Sequence, residues 1–453
     1  MTTTCDVVVI GLGPGGEAAA TELAKAGLSV VGVDERLVGG ECPYYGCIPS
    51  KMIIRAAEAL QEARRVDGLA GAAQVQPDFS VVAQRIRDEA TSDWDDQAGV
   101  DRLTDAGVTF VRGHARLTGP RTVEVDGETY EATRGVLLNP GTSPAAPPID
   151  GLADTPYWTN REILQAETAP ATMAVIGGGP IGAELAQGFA RFGTRVTVLE
   201  RGDRILGPEE PEAGELLGRV FAEEGIQVLT GVDLQHVAHA DGHFTITLSS
   251  GGDDQSLEFE KVLVAAGRRP NLGDLGLETV GLDPAARSIE VDDQMVAGDG
   301  LWAIGDVVGH GAWTHLSMYH SAVAVASILG QDGPRAEYHA VPHVTFTDPE
   351  VGGVGLTEQQ ARDAGLNLRI GHQDMSANSR GWINQAQGLV KVIEDADRGV
   401  LVGATVVGPT GGDILGMLTT AVHAQVPTTT LLSMIYAFPT MHRAVEEALK
   451  DLS

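Results

Sequence analysis

The sequence predicts an α/β protein of several units, and three observations carry that prediction. A glycine-rich turn joins an apolar run to an Ala-rich stretch near the N-terminus, a second copy of the pattern recurs in matching register, and the C-terminal third has neither. At ~150 residues per domain, 453 residues allow about three domains with packed cores of their own.

In the first copy, the apolar run 7–10 leads directly into Gly11-Leu12-Gly13-Pro14-Gly15-Gly16. Residues 17–26 follow as a helix that Gly27 stops, and the run 28–33 ends at Asp34. Strand, glycine turn, helix, strand and acid together form a dinucleotide fingerprint. The glycines let backbone approach a pyrophosphate on a helix N-terminus. Gly11, Gly13 and Gly16 are therefore candidate cofactor residues, and Asp34 is the candidate acceptor for an adenosine ribose. The second copy runs from strand 173–176 through Gly177-Gly178-Gly179-Pro180-Ile181-Gly182 and a helix to Phe192, with Gly193 next and strand 195–199 ending in Glu200. Gly13 to Asp34 and Gly179 to Glu200 each span 21 positions, and the copies lie 166 residues apart. This repetition predicts two bound dinucleotides, the second on Gly177, Gly179, Gly182 and Glu200. The fold class is α/β, with two Rossmann-like dinucleotide-binding domains followed by a C-terminal α+β domain.

Between the copies, helices are expected over 50–65 and 80–102, then an alternating meander over 108–138 that turns at Asp126-Gly127. Pro-rich 140–148 reads as a linker. Two apolar strands follow the second copy, one leading into Gly267-Arg268-Arg269-Pro270 and the other into Gly305-Asp306. From about Pro342, strands over 388–393 and 399–407 mix with helices.

Composition narrows the function classes. The net charge of −31 argues against a nucleic-acid partner, which needs a basic patch, and against an anionic membrane surface. Three cysteines are too few for a secreted disulfide scaffold. The first ten residues lack the basic and long apolar stretches of a signal, and no run of about 18 apolar residues could span a bilayer. The expectation is a cytoplasmic protein without a membrane partner. No metal site is expected.

The segment 39–51, Gly-Gly-Glu-Cys-Pro-Tyr-Tyr-Gly-Cys-Ile-Pro-Ser-Lys, carries the chemistry. A regular helix would separate Cys42 and Cys47 by ~7.5 Å along its axis and ~140° around it. A disulfide needs Cα atoms about 4.4–6.8 Å apart. Bridging therefore needs an irregular turn, which Pro43 and Gly46 supply. Zinc binding finds no second pair at ligand spacing. In a reducing compartment the pair reads as redox-active, with a structural pair and a metal pair as the alternatives.

This segment resembles the GG-x-C-x4-C-x-I-P-S-K motif of the FAD-dependent pyridine nucleotide-disulfide oxidoreductases, and the resemblance extends over nearly the whole chain. It implies an enzyme in which NADH reduces FAD, and FAD reduces a Cys42–Cys47 disulfide that passes electrons to a small-molecule acceptor. By the same resemblance Cys42 attacks substrate and Cys47 contacts the flavin. Lys51 and Glu184 form a charged pair beside the flavin, and Gly40, Gly267, Gly305 and Asp306 belong to the cofactor sites. The implied domains are 1–150 (first FAD part, with the cysteines), 151–271 (NAD(P)), 272–338 (central FAD part) and 339–453 (dimerisation), giving a homodimer. Glu200 favours NADH, because a carboxylate repels a 2′-phosphate; Arg201 and Arg204 are close enough to leave NADPH as the alternative.

The sequence departs from the family at one place. Disulfide-reducing members carry a His-Pro-Thr segment with a downstream Glu, a general acid–base pair acting from the partner subunit. Here Phe438 stands at the His position and Arg443 at the Glu position. His442 and Glu446, one helical turn apart, are the candidate replacement pair, with Tyr436 or Tyr45 as other proton sources. Alternative readings are a mercuric-reductase-like metal or quinone reductase, a pyridine nucleotide transhydrogenase, and a non-catalytic redox-responsive flavoprotein. The chain has no cysteine pair near residue 453, and Cys5 reads as a small buried residue.

Overall fold

The computed structural model describes residues 2–251 and 253–453; Met1, with which the expected 1–150 domain begins, lies outside them. The chain forms two compact units. One comprises the residues through Ser50 with Ala83–Ala145 and Arg268–Glu337; the other comprises Lys51–Val82, Ala146–Gly267 and Tyr338–Ser453.

The first unit is built on one sheet. Its strands run in the order Val296–Gly298, Leu301–Ala303, Glu128–Leu138, Thr2–Ile10, Val30–Asp34 and Val108–Arg112, and the last five are parallel. A parallel strand covered on both faces must be apolar without alternation, which explains the run 7–10, whose side chains are essentially fully buried. Helices Pro14–Lys25 and Thr314–Leu329 pack against each other. The expected meander is only partly antiparallel. Val108–Arg112 joins the parallel edge, while Ala115–Gly119, Thr122–Val125 and Glu128–Leu138 pair in antiparallel succession. Asp126 and Gly127 both have positive φ, 49° and 84°, the signature of a two-residue hairpin turn.

One sequence expectation holds only in part and another fails. The segment 140–148 is not simply a linker, because Thr142–Pro144 pairs antiparallel with Arg268–Pro270. The single helix expected over 80–102 is broken. Helix Phe79–Arg85 runs into a π-helical turn, Ile86–Ala90, and a new helix starts at Gln97. Between them Ser92, Asp93 and Trp94 have φ of 50°, 58° and 57°. Three successive non-glycine residues in the left-handed region cost ~1–2 kcal/mol each, which neither periodicity nor propensity foretells.

The second unit contains a parallel sheet in the order Gln227–Leu229, Arg195–Leu199, Thr172–Ile176 and Lys261–Val264. A three-stranded antiparallel sheet, Asp233–Ala240, His243–Ser250 and Asp253–Phe259, shares its core through Phe244, Ile246 and Phe259. The C-terminal part is a five-stranded antiparallel sheet that includes Leu389–Asp395 and Val400–Gly408. Helices Gly411–His423 and His442–Lys450 pack on it. The α/β class with a C-terminal α+β domain is therefore the observed fold. Among the described residues, no helix is long and apolar enough to cross a membrane.

Candidate active site

The two glycine turns have one geometry. A Cβ at Gly11 (φ 88°) would collide with the carbonyl oxygen of Asn139, and one at Gly16 with that of Gly11. In the second turn, Gly177 (φ 106°) meets Ala265 O in the same way, and Gly182 meets Gly177 O. The middle glycines differ. A Cβ at Gly13 has only Asn139 Nδ2 near it, at 3.5 Å, and one at Gly179 has nothing within 4 Å. In each turn the outer glycines serve close backbone packing and the middle one keeps the space at the helix N-terminus clear. A pyrophosphate fits such a cradle.

The acids at the strand ends are aimed back at the turns. Asp34 accepts from the backbone N–H of Leu12 (2.7 Å) and of Arg36 (2.8 Å), and burial pushes its carboxyl above the ordinary range. Glu200 accepts from Gly178 N and Gly202 N, both at 2.6 Å. Arg204 turns into its own loop, donating to Gly207 O at 2.8 Å and pairing with Asp203 at 3.1 Å. Asp306 follows Gly305 (φ 75°). It accepts from the Thr142 hydroxyl at 2.7 Å, and burial raises its pKa. Gly267 (φ 131°) follows the buried strand Lys261–Val264.

The cysteine segment is built directly on the first turn. A Cβ at Gly40 (φ 67°) would lie 2.9 Å from the Cα of Gly13. Cys42 sits in the five-residue helix Glu41–Tyr45, and Cys47 opens the 23-residue helix Cys47–Leu69; both are half-buried. Gly46 is the irregular turn between them, so the break expected from Pro43 and Gly46 falls at Gly46. Cys47 Sγ lies 3.2 Å from the hydroxyl of Thr314, the first residue of its helix. Sequence reasoning missed Thr314, whose only signal is a hydroxyl residue opening the helix after Gly305-Asp306.

Four residues after Cys47, the same helix carries Lys51, whose Nζ is 2.6 Å from Glu184 Oε2. Glu184 is only 5% exposed. Its other oxygen accepts from Phe346 N at 2.8 Å, and the Phe346 ring centroid is 4.7 Å from Lys51 Nζ. The face of helix Pro180–Arg191 that holds Glu184 also carries Gln187 and Arg191. Gln187 exchanges hydrogen bonds with the backbone of Asp348, and Arg191 pairs with the carboxylates of Asp348 and Glu224. Residues 346–348 thereby fix the Lys51–Glu184 pair, a contact the sequence reading did not assign to them.

The C-terminal candidates are arranged differently from the spacing argument. Glu446 is held by Arg443 Nη1 (2.9 Å) and Lys450 Nζ (2.8 Å), not by His442. At i,i+3 and i,i+4 these two cations lie on the same helical face as the carboxylate. The Arg443 guanidinium also lies 5.8 Å from the centroid of the Phe438 ring, which is 70% exposed. Tyr436 donates its hydroxyl to Leu431 O at 3.1 Å, and burial raises its pKa. Cys5 is buried, and burial pushes its thiol up to about 11.

Comparison with known proteins shows the family. Residues 5–327 match the family profile described as pyridine nucleotide-disulphide oxidoreductase, and 341–449 match that family's dimerisation domain. A dihydrolipoyl dehydrogenase of Thermus scotoductus is 34% identical over 465 residues, covering 99% of this chain and 97% of its own. A mercuric reductase of Streptomyces lividans is 33% identical over 461 residues, covering 100% and 97%. The solved structure of the HOCl-induced flavoprotein disulfide reductase RclA from Escherichia coli is similar with a TM-score of 0.84 at 26% identity, over 99% of both chains.

Proposed function

The chain belongs to the pyridine nucleotide-disulphide oxidoreductase family, an FAD-dependent family of enzymes using NAD(P)H, and on that footing we propose that it oxidises NADH through a Cys42–Cys47 redox pair. The matched dimerisation domain supports a homodimer. The observation that carries the proposal is the seating of the cysteine segment on the first glycine turn, Gly40 against Gly13. This puts a thiol pair on the same backbone that cradles a dinucleotide.

The residues present fit FAD: Gly11, Gly13, Gly16 and Gly40 at the pyrophosphate, Asp34 at the ribose, and Gly305 with Asp306 further along. Bound FAD supplies two-electron transfer between the nicotinamide and the cysteine pair. Gly177, Gly179 and Gly182 cradle the second dinucleotide, and Glu200 faces its ribose; Gly267 borders that cradle. With Arg204 folded into its own loop, the charge presented there is negative, which favours NADH over NADPH. Thr314, 3.2 Å from Cys47 Sγ, would donate its hydroxyl proton to Cys47 once that sulfur is a thiolate. Lys51 is held in place as a cation by Glu184 and the Phe346 ring. Cys42, on the short helix, is the thiol that meets the acceptor.

The acceptor differs from a lipoamide-type disulfide. Reducing a disulfide leaves a thiolate that must be protonated, yet Phe438 offers no proton and Glu446 is committed to Arg443 and Lys450. His442 is thus without the carboxylate that would orient it as a base. A metal ion accepts electrons without taking up a proton and requires no such pair. The test is anaerobic NADH titration of the FAD-loaded protein, followed by turnover with a panel of disulfides, quinones and metal ions. A long-wavelength charge-transfer band, together with turnover lost in Cys42→Ser, is the expected result. No band, or turnover that survives Cys42→Ser, would overturn the reading and favour transhydrogenation. No turnover with any acceptor would favour a regulatory flavoprotein.

A further inference from the structure

Cys42 sits in a short helical segment. The helix Glu41–Tyr45 is five residues long, far below the length at which a helix is stable by itself in water. It is entered through Gly39 (φ 101°) and Gly40 (φ 67°). Cys47, in contrast, begins a helix of 23 residues. A segment this short is also positioned by contacts made to it from elsewhere.

Those contacts come from the break in the expected 80–102 helix. Trp94 Nε1 donates to the carbonyl of Tyr44 at 3.2 Å, two residues after Cys42. The carboxylate of Asp96, itself buried, accepts from Val38 N at 2.6 Å, four residues before Cys42. The same Asp96 oxygen takes Arg112 Nη2 at 2.6 Å, so the acceptor is anchored to the sheet. Gly99 lies under Val38, where a Cβ would come 3.1 Å from a Val38 methyl. A third tie, Glu41 to Arg268 at 2.9 Å, holds the segment from its other side, and Arg268 is fixed in turn by Thr142.

The left-handed turn is what brings the indole and the carboxylate to the segment together. Thr91 holds the turn by donating its hydroxyl to Ile86 O and Arg87 O, and Asp93 N reaches Arg87 O. Continued α-helix through 91–96 would set Trp94 and Asp96 ~200° apart around the axis, and both could not reach one segment. Non-glycine residues in disfavoured backbone regions persist where surrounding structure enforces them, and they cluster at functional sites.

We propose that Trp94 and Asp96, presented by the left-handed turn Ser92–Trp94, are positioning residues that clamp the 38–44 segment and hold Cys42 in a single reactive geometry. The proposal rests on the reading of Cys42 as the acceptor-facing thiol.

The test uses FAD-loaded protein reduced anaerobically by NADH and treated with iodoacetamide, in which a cysteine thiolate displaces iodide and forms a C–S bond. Alkylation at Cys42 and at Cys47 is read separately by peptide mass spectrometry across a pH series. Trp94→Phe keeps the ring and removes the donor. Loss of one hydrogen bond on the clamp is expected to change the Cys42 rate by about fivefold, upward because the segment loosens, with the Cys47 rate unchanged. Turnover should fall in kcat at unchanged KM for NADH. Asp96→Asn, which keeps an acceptor for Val38 N–H but weakens the anchor to Arg112, should give a smaller shift in the same direction, and it carries the test if the Trp94 variant fails to fold. A lowered melting temperature with an unchanged Cys42-to-Cys47 alkylation ratio would overturn the clamp. Wild-type turnover that survives Cys42→Ser overturns the functional reading instead, while the alkylation ratio still decides the clamp.

Discussion

His320 makes this protein acid-sensitive at the base of a proposed cofactor site. Its side chain is fully buried on helix Thr314–Leu329, and its Nδ1 accepts from Gly305 N at 3.2 Å, beside Asp306. An accepting Nδ1 requires a neutral ring. Burial, with a smaller contribution from His310, lowers its pKa from 6.5 to about 4. The folded state therefore binds this proton less readily than the unfolded chain. The stability involved is fully present above pH ~6.5 and is lost as the pH falls from there toward ~4. At 1.36 kcal/mol per pKa unit, the shift corresponds to on the order of 3 kcal/mol in total, about two-thirds of it gone by pH 5. Urea melts of the holoprotein at pH 7.5, 6 and 5, followed by circular dichroism and by release of FAD fluorescence, would measure it. His320→Gln retains an acceptor for Gly305 N–H but does not titrate. The wild type should lose about 2 kcal/mol more than this variant between pH 7.5 and 5. Parallel pH profiles for the two proteins would refute the argument.

Other perturbations address the proposed site. Thr314→Val removes the hydroxyl 3.2 Å from Cys47 Sγ. A hydrogen bond to a charged sulfur is worth ~1.5 kcal/mol, so the pH midpoint of the charge-transfer band should rise by about one unit; an unmoved midpoint rules out Thr314 as the donor. Glu184→Gln leaves the Phe346 N–H with an acceptor but removes the negative partner of Lys51. With Lys51 about one-third exposed, the loss should be ~1–2 kcal/mol in urea melts, accompanied by slower anaerobic reduction by NADH; wild-type values for both would show the pair to be incidental. Glu200→Ser removes the charge held over the second glycine turn. The NADPH-to-NADH ratio of kcat/KM should rise by roughly tenfold, ~1.4 kcal/mol of relieved repulsion, and no change in that ratio would remove Glu200 from cofactor choice.

Local patterns were legible in the sequence because local physics produces them. Backbone crowding makes each turn demand glycine at Gly11 and Gly16, and again at Gly177 and Gly182, so a short string with its spacing to an acid exposes two dinucleotide units. The irregular turn between Cys42 and Cys47 was legible for the same reason, since it lies within six consecutive positions. The parallel strands of 7–10 and 173–176 announced themselves by being apolar throughout.

Apart from the Lys51–Glu184 pair, which the resemblance implied, what the sequence concealed was the contacts made across the chain. Thr314 against Cys47, Phe346 under Lys51, and Thr142–Pro144 paired with Arg268–Pro270 join positions far apart, and no periodicity links them. His442 and Glu446 have the right helical spacing, but Arg443 and Lys450 share that face and hold the carboxylate. The left-handed turn Ser92–Trp94 was hidden most completely, because three ordinary residues hold a conformation their own preferences oppose. Sequence alone determined the two nucleotide folds and the thiol pair, where neighbours along the chain set the structure. The surroundings of Cys42, Cys47 and Lys51 were decided only in three dimensions, because packing and hydrogen bonds from distant segments outweigh local preference there.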